Sequence, residues 1–469
     1  MTRRVKLVCT LGPATAAAGA VRALAEAGAG VFRVNLSHGT PGSRRDAVEA
    51  VRRAGEELGR DLAVMADLPG PKIRLGELAA EPVLLREGAP FVLRAAGGPG
   101  DATGAATSYP FLAQDLRPGD RVFLADGSVE LVVRETRAAD VVTEVVRGGH
   151  LRSRAGVNVP AERLSLPAVT EADRRALREA FDLGADLLAQ SFVRRGEDVA
   201  ALRALAGRAP IVAKVETRPA VERAGEVLAQ ADALMVARGD LGVELPMEEI
   251  PVLQKELLRA AREAGKPAVV ATQMLESMVH APRPTRAEAS DVANAVLDGA
   301  DAIMLSAETA VGEYPLEAVR AASRIAEVAE ARAGPGPGVV PRREADDPAA
   351  AVARAAAGVC AVAGAVAIAC FTRTGRTAAL IASERPPVPV YAFSPDAATR
   401  RALALRWGVR TLPAPDPADT DAMIALLDQG LRERAGIAPG QLVVLVAASP
   451  AGKARTNMLK VHRTGEPVR

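Results

Sequence analysis

Short apolar runs recur along the first two thirds of the chain, with stretches of helical periodicity between most of them. The runs are Val5–Thr10, Val31–Asn35, Leu62–Asp67, Leu187–Ser191, Ile211–Lys214, Ala233–Ala237, Ala268–Thr272 and Ile303–Leu305. Nearly continuous apolar character predicts strands buried on both faces, and eight such strands alternating with helices predict a (β/α)8 TIM barrel. The third interval is too long for one helix. Between residues 69 and 156, runs such as "PFVLRA", "RVFLADGSVELVV" and "DVVTEVV" alternate with Gly, Pro and an Asp126-Gly127 turn, which predicts an inserted β lid domain, a small β-barrel. The catalytic barrel is therefore expected over 1–68 and 157–333. A Pro- and Gly-rich linker is expected over 334–348 and a smaller C-terminal α/β domain over 349–469.

Composition narrows the function. Among 469 residues the net charge is only +2, with three Tyr, eight Phe and one Trp, which supplies neither the basic surface nor the stacking platforms of a nucleic-acid binder. Cys9, Cys360 and Cys370 are too far apart for a metal-spaced pair, so reduced thiols and a cytoplasmic location are expected. The N-terminal "MTRRVKLVCTLGP" lacks the apolar length of a secretion signal. The uncharged run Ala355 to Phe371 changes from Ala-rich to "AVAIACF" and is read as a buried helix entering a strand, not as a membrane span.

Only seven of the 59 basic residues are lysines. One of them, Lys214, stands in the apolar run "IVAKVE", and Glu216 follows at the same strand parity, so both point into the mouth of the barrel. A buried structural ion pair is the alternative reading, but such pairs are poor stabilisers. Barrel active sites form at the C-terminal ends of the strands. Those ends carry Thr10, Asn35, Asp67, Ser191, Lys214 with Glu216, Arg238-Gly239-Asp240, Thr272, and Ser306 with Glu308. Carboxylates at 216 and 240 suit a hard divalent ion, Mg2+ or Mn2+. Together with Lys214 and Arg33 they describe a site for a polyanion, and phosphoryl transfer fits. One ammonium about 4 Å from developing charge contributes roughly 4 kcal/mol at an effective dielectric near 20.

In this order the motifs "CTLGPAT" (9–15), "VFRVNLSHG" (31–39), "DLPGPKIRLG" (67–76), "GVNVP" (156–160), "KVET" (214–217), "VARGDLGVELP" (236–246), "ATQMLESM" (271–278) and "DGADAIMLSAETAVGEYP" (298–315) resemble the pyruvate kinase family. The resemblance implies transfer of a phosphoryl group from phosphoenolpyruvate to ADP, giving pyruvate and ATP. It also implies Glu216 and Asp240 as ligands of the catalytic ion and Lys214 as the neutraliser of phosphoryl and enolate charge. Arg33 is implied as a phosphate clamp, and Thr272 as the carboxylate contact that delivers a proton. Gly239 and Ser191 join the substrate site, and Ser306 with Glu308 relay the proton. Asn35, His38 and Arg74 fall where nucleotide phosphates bind, with a second Mg2+ arriving on ADP; for His38 a capping role is equally open. Asp126 matches a lid aspartate or is a plain Asp-Gly turn.

Two departures from the family pattern stand out. Many members have Glu where this chain has Lys72, beside a potassium site matched by Asn35, Ser37, Asp67 and Leu68. A tethered ammonium replacing the monovalent ion implies that K+ is not required. In "LRSRAGVNVP" a common lysine is Ala155. Either Arg154 takes over its phosphate contact or the lid contributes less. In the last domain "FTRTGRT" offers Thr372, Arg373, Thr374, Gly375, Arg376 and Thr377 between a strand and a helix, either a phosphate cradle or a simple capped loop. The resemblance implies a phosphorylated allosteric effector there and a homotetramer. Rival readings are a metal-dependent aldolase or lyase on a related barrel and a catalytically weak metabolite sensor.

Overall fold

The computed structural model describes residues 3–332, 347–448 and 456–467. The expected linker at 334–348 thus lies outside the described residues up to position 346. Eight parallel strands, Lys6–Thr10, Val31–Asn35, Ala63–Asp67, Leu187–Gln190, Ile211–Val215, Ala233–Ala237, Ala268–Ala271 and Ala302–Leu305, close into a barrel in sequential order. Alternation within each strand divides the apolar side chains. Val8, Val31, Met65, Val212, Met235 and Val269 fill the barrel interior, while Leu7, Cys9, Ala213 and Val270 pack against the helices outside. Lys214 follows Val212 by two positions and so continues the inward-facing row to its open end.

The inserted unit is a seven-stranded sheet with a two-stranded ribbon, Val83–Leu85 against Gly149–Leu151, beside it. Its core of Phe91, Leu93, Val122, Leu124, Leu131 and Val141 is separate from that of the barrel. The hinge leaving the third strand depends on Gly70, which has φ +68°; a Cβ there would lie 2.8 Å from the Cβ of Ser191. The Gly70 N–H donates to Asp173, which also closes the capping box of Thr170 at the start of helix Glu171–Asp182. Lid and barrel are thereby joined at a defined angle.

The C-terminal unit is a five-stranded sheet in the order Val409–Pro413, Val390–Ser394, Ala367–Phe371, Leu442–Ala447, Met458–Arg463, the last strand antiparallel. That edge strand was not expected from the sequence. The run expected as helix then strand is helix Pro348–Ala363, ended by Gly364 at φ +67°, followed by strand Ala367–Phe371. No helix among the described residues is long and apolar enough to cross a membrane. Ion pairs in the seam with the barrel include Arg400 with Asp61 (2.8 Å), Arg401 with Asp186 (2.6 Å) and Arg385 with Asp301 (3.0 Å). Trp407 lies there between the guanidiniums of Arg4 and Arg385, at 5.2 and 4.7 Å from the ring centroid.

Candidate active site at the barrel mouth

The fifth strand brings Lys214 into a buried cluster. Its Nζ lies 2.8 Å from Oε1 of Glu216 and 3.3 Å from Oδ1 of Asp67, and donates to Ser191 Oγ at 2.7 Å. Burial by itself would lower the Lys214 pKa, but Asp67 and Glu216 outweigh it and hold the ammonium above the ordinary lysine range. Asp67 shows the reverse balance: burial is overcome by Lys214 and Arg33, and its pKa is lowered. Glu216 is raised, first by burial and also by the nearby charge of Asp240, against the pull of Lys214. Its second oxygen accepts the N–H of Phe192 at 2.7 Å, on a backbone held at φ +55°.

Arg33 is fixed from the second strand. Its Nε meets Asp67 Oδ2 at 2.6 Å and its Nη1 donates to Thr10 Oγ1 at 3.2 Å, leaving Nη2 without a partner among the described residues. Thr272, just past the seventh strand, has φ +68°, a genuine outlier for a β-branched residue. Its hydroxyl accepts the N–H of Gly239 at 2.8 Å and donates to the Ala271 carbonyl at 2.6 Å. Such strain persists only where surroundings enforce it. The enforcing group is Arg238, whose Nη2 donates to the carbonyls of Thr272 (2.7 Å) and Gln273 (3.2 Å) while Nη1 pairs with Asp291 at 2.7 Å. Sequence reasoning gave Arg238 no role beyond a polar strand end; its place before "GD" was the only available signal.

The other expected residues divide into two groups. Glu308 is buried with both oxygens occupied, by the N–H groups of Leu275 (2.9 Å) and Ser306 (2.7 Å), so it braces two strand-end loops; burial raises its pKa. The Ser306 Oγ is buried and makes no hydrogen bond to any described residue. Asn35 Oδ1 accepts the N–H of Ser37, His38 is exposed, and Arg74 reaches the Arg154 carbonyl at 3.2 Å. Arg154 itself pairs with Glu77 inside the lid at 2.8 Å. Asp126 sits in its turn at φ +52°. Among the described residues Lys72 makes no hydrogen bond or ion pair to Asn35, Ser37, Asp67 or Leu68: its Nζ is 3.8 Å from Asp240 Oδ1 and 5.9 Å from the Phe192 ring centroid. In the C-terminal loop, Thr372 and Thr377 are buried, the latter bonded to Thr456 at 2.6 Å; Arg373 pairs with Asp416 and Arg376 with Asp347, and Thr374 is exposed beside the helix-capping Gly375.

A family model described as pyruvate kinase, barrel domain, matches residues 2–319, and one described as pyruvate kinase, alpha/beta domain, matches 350–462. The chain belongs to the pyruvate kinase family. It is 44% identical to the pyruvate kinase of Mycobacterium tuberculosis, covering 99% of each chain, and 42% identical to that of Corynebacterium glutamicum over 100% and 99%. The pyruvate kinase of Geobacillus stearothermophilus is 39% identical, with 98% of this chain and 80% of the relative covered. These full-length matches do not support the aldolase, lyase and sensor readings.

The family is metal-dependent, and two carboxylates face the site. Among the described residues no group of three or more His, Cys, Asp or Glu side chains is arranged to hold a metal. Glu216 and Asp240 nevertheless fit a catalytic ion that takes further oxygens from its substrate: both are hard donors, and the charge of Asp240, which adds to the burial that raises Glu216, is one a dication offsets.

Proposed function

We infer that the protein transfers the phosphoryl group of phosphoenolpyruvate to ADP, forming pyruvate and ATP. The observation that carries this reading is the buried Lys214 ammonium, held above its ordinary pKa between Asp67 and Glu216 and therefore permanently charged at the mouth. Glu216 and Asp240 would hold Mg2+ or Mn2+, which when bound supplies charge neutralisation and orientation. Arg33, anchored through Nε, presents its free Nη2 to the phosphoryl group. Lys214 faces the same group as its charge redistributes. Thr272 is fixed by Gly239 and Arg238 at the carboxylate end, and the unpartnered Ser306 hydroxyl suits a water-borne proton for the enolate. Asn35, Arg74 and Asp126 are the proposed nucleotide contacts, where a second Mg2+ accompanies ADP. Formation of pyruvate dependent on both phosphoenolpyruvate and ADP, read by coupled oxidation of NADH, tests the assignment; no turnover with Mg2+ and ADP present overturns it.

Activity without K+ is part of the proposal. Asp67 is taken by Arg33 and Lys214, the Leu68 carbonyl accepts from Ser191 at 2.8 Å, and Asn35 Oδ1 accepts from Ser37, so these oxygens already meet protein donors. Full rate in tetramethylammonium buffer is expected, and tenfold stimulation by K+ refutes it. A phosphorylated effector at the loop 372–377 and assembly as a homotetramer complete the reading. Among the described residues Arg373 and Arg376 each make one ion pair, with both guanidiniums exposed, and such pairs cost little to exchange for a phosphate. Unchanged substrate affinity across a panel of sugar phosphates and AMP counts against the effector, and a monomeric mass in solution against the tetramer.

A further inference from the structure

Each carboxylate proposed to hold the divalent ion already faces one ammonium: Glu216 faces Lys214 at 2.8 Å, and Asp240 faces Lys72 at 3.8 Å. Together the two lysines supply the same double positive charge as the ion. They are anchored very differently. Lys214 is buried and keeps Asp67 and Ser191 as partners whatever happens at Glu216. The Lys72 side chain is 28% exposed, and Asp240 is its only acidic neighbour within 4 Å among the described residues. Lys72 also sits in the hinge, two residues past Gly70, with its stem beside the lid. A Cβ built on Gly156 would lie 3.4 Å from Lys72 Cε and 3.6 Å from Asp126 Oδ1.

We propose that Lys72 is a displaceable counter-ion of the metal site, neutralising Asp240 until a divalent cation binds there and being released by it. The proposal rests on the reading of Glu216 and Asp240 as metal ligands. A dication at Asp240 repels an ammonium at the same carboxylate, and Lys72, unlike Lys214, has no second acid to retain it. Its release leaves an ammonium tethered at the mouth and free to face a polyanionic substrate, while the net charge gained on metal loading stays that of the ion. In the metal-free protein the same contact acts as a competitor. Partly exposed ion pairs of this kind are weak, so removing the ammonium should tighten metal binding by only about two- to fivefold.

The test is Mn2+ binding to substrate-free protein in tetramethylammonium buffer, with free Mn2+ read by electron paramagnetic resonance. Lys72→Met is expected to bind about two- to fivefold more tightly than the unmodified protein, and Lys72→Arg, which keeps the charge, to bind like it. Equal or weaker binding by Lys72→Met overturns the proposal. Glu216→Gln separates the underlying reading: if it leaves Mn2+ affinity unchanged, or if the unmodified protein binds no Mn2+, the ligand assignment itself falls. A second measurement avoids dependence on the folding of the Met variant. The chain has only seven lysines. In the 13C-dimethylated protein, Mg2+ should shift the resonance that Lys72→Arg removes, with the midpoint of the binding curve; a resonance that stays still through saturation overturns displacement.

Discussion

Replacing Lys214 by Met removes one ammonium while keeping most of the stem's volume, and its two effects can be read apart. The first is on stability. At an effective dielectric near 20, contacts of 2.8 and 3.3 Å to Glu216 and Asp67 are each worth roughly 5–6 kcal/mol of attraction. Desolvation of three buried groups offsets several kcal/mol, and breaking a buried pair typically costs about 3–5 kcal/mol. The lower end, ~3 kcal/mol, is expected, because Asp67 keeps Arg33 at 2.6 Å and Glu216 keeps the Phe192 N–H. The second effect is on rate: loss of one ammonium about 4 Å from the migrating charge removes ~4 kcal/mol, or about a thousandfold in kcat. The assay is the coupled reaction at saturating substrates beside a thermal melt. The melt has a pH signature. Glu216, already raised, rises further without Lys214, and a carboxyl raised on folding supports the fold at low pH and loses that support as pH climbs through its folded value. The melting deficit of Lys214→Met should therefore widen as the pH rises above the ordinary carboxyl range. A folded variant retaining more than a tenth of wild-type kcat refutes the reasoning.

Arg238→Met should lower kcat about 10- to 100-fold, the equivalent of releasing the ~1–3 kcal/mol of strain that Arg238 enforces at Thr272, and Arg238→Lys should restore only part; separate kcat and KM measurements check it. Glu308→Gln should destabilise the fold by ~1–3 kcal/mol, since an amide NH2 cannot accept the second of the two N–H groups from Leu275 and Ser306, and denaturant titration reads this directly. Lys6 is half-buried, and desolvation of its ammonium, with Arg3, Arg410 and Arg60 nearby, lowers its pKa to about 7 from 10.5. The unfolded chain then binds more protons above pH 7, so wild-type stability should gain from this group between pH 7 and 10.5, and Lys6→Met should lack that slope in melts across the window.

The barrel was legible because its strands are buried on both faces: apart from Lys6 and Arg33 the runs are apolar until polarity returns at the strand ends that form the mouth. Lys214 and Glu216 could be placed on one side from their spacing alone. The final strand Met458–Arg463 left no such trace, because an antiparallel edge strand buries little; His462 is its one buried side chain, in a run where apolar and basic residues mix without a clean alternation. Arg238 escaped for another reason. Its partners are backbone carbonyls of a loop that comes 34 residues later, and nothing local marks a guanidinium that will meet them. The sequence suggested a fixed charge at Lys72, but its partner Asp240 is set by the angle of the hinge at Gly70, which no run of residue types encodes.

The chain contains a single tryptophan, and folding inserts it between guanidiniums donated from opposite sides of a seam. Its indole emission is therefore a built-in optical gauge that needs no attached dye. If the terminal unit pivots, Trp407 moves with Arg385 and slides off Arg4 on the barrel side, the quenching by the cations changes, and the rotation can be timed in a stopped-flow mixer on the unmodified enzyme.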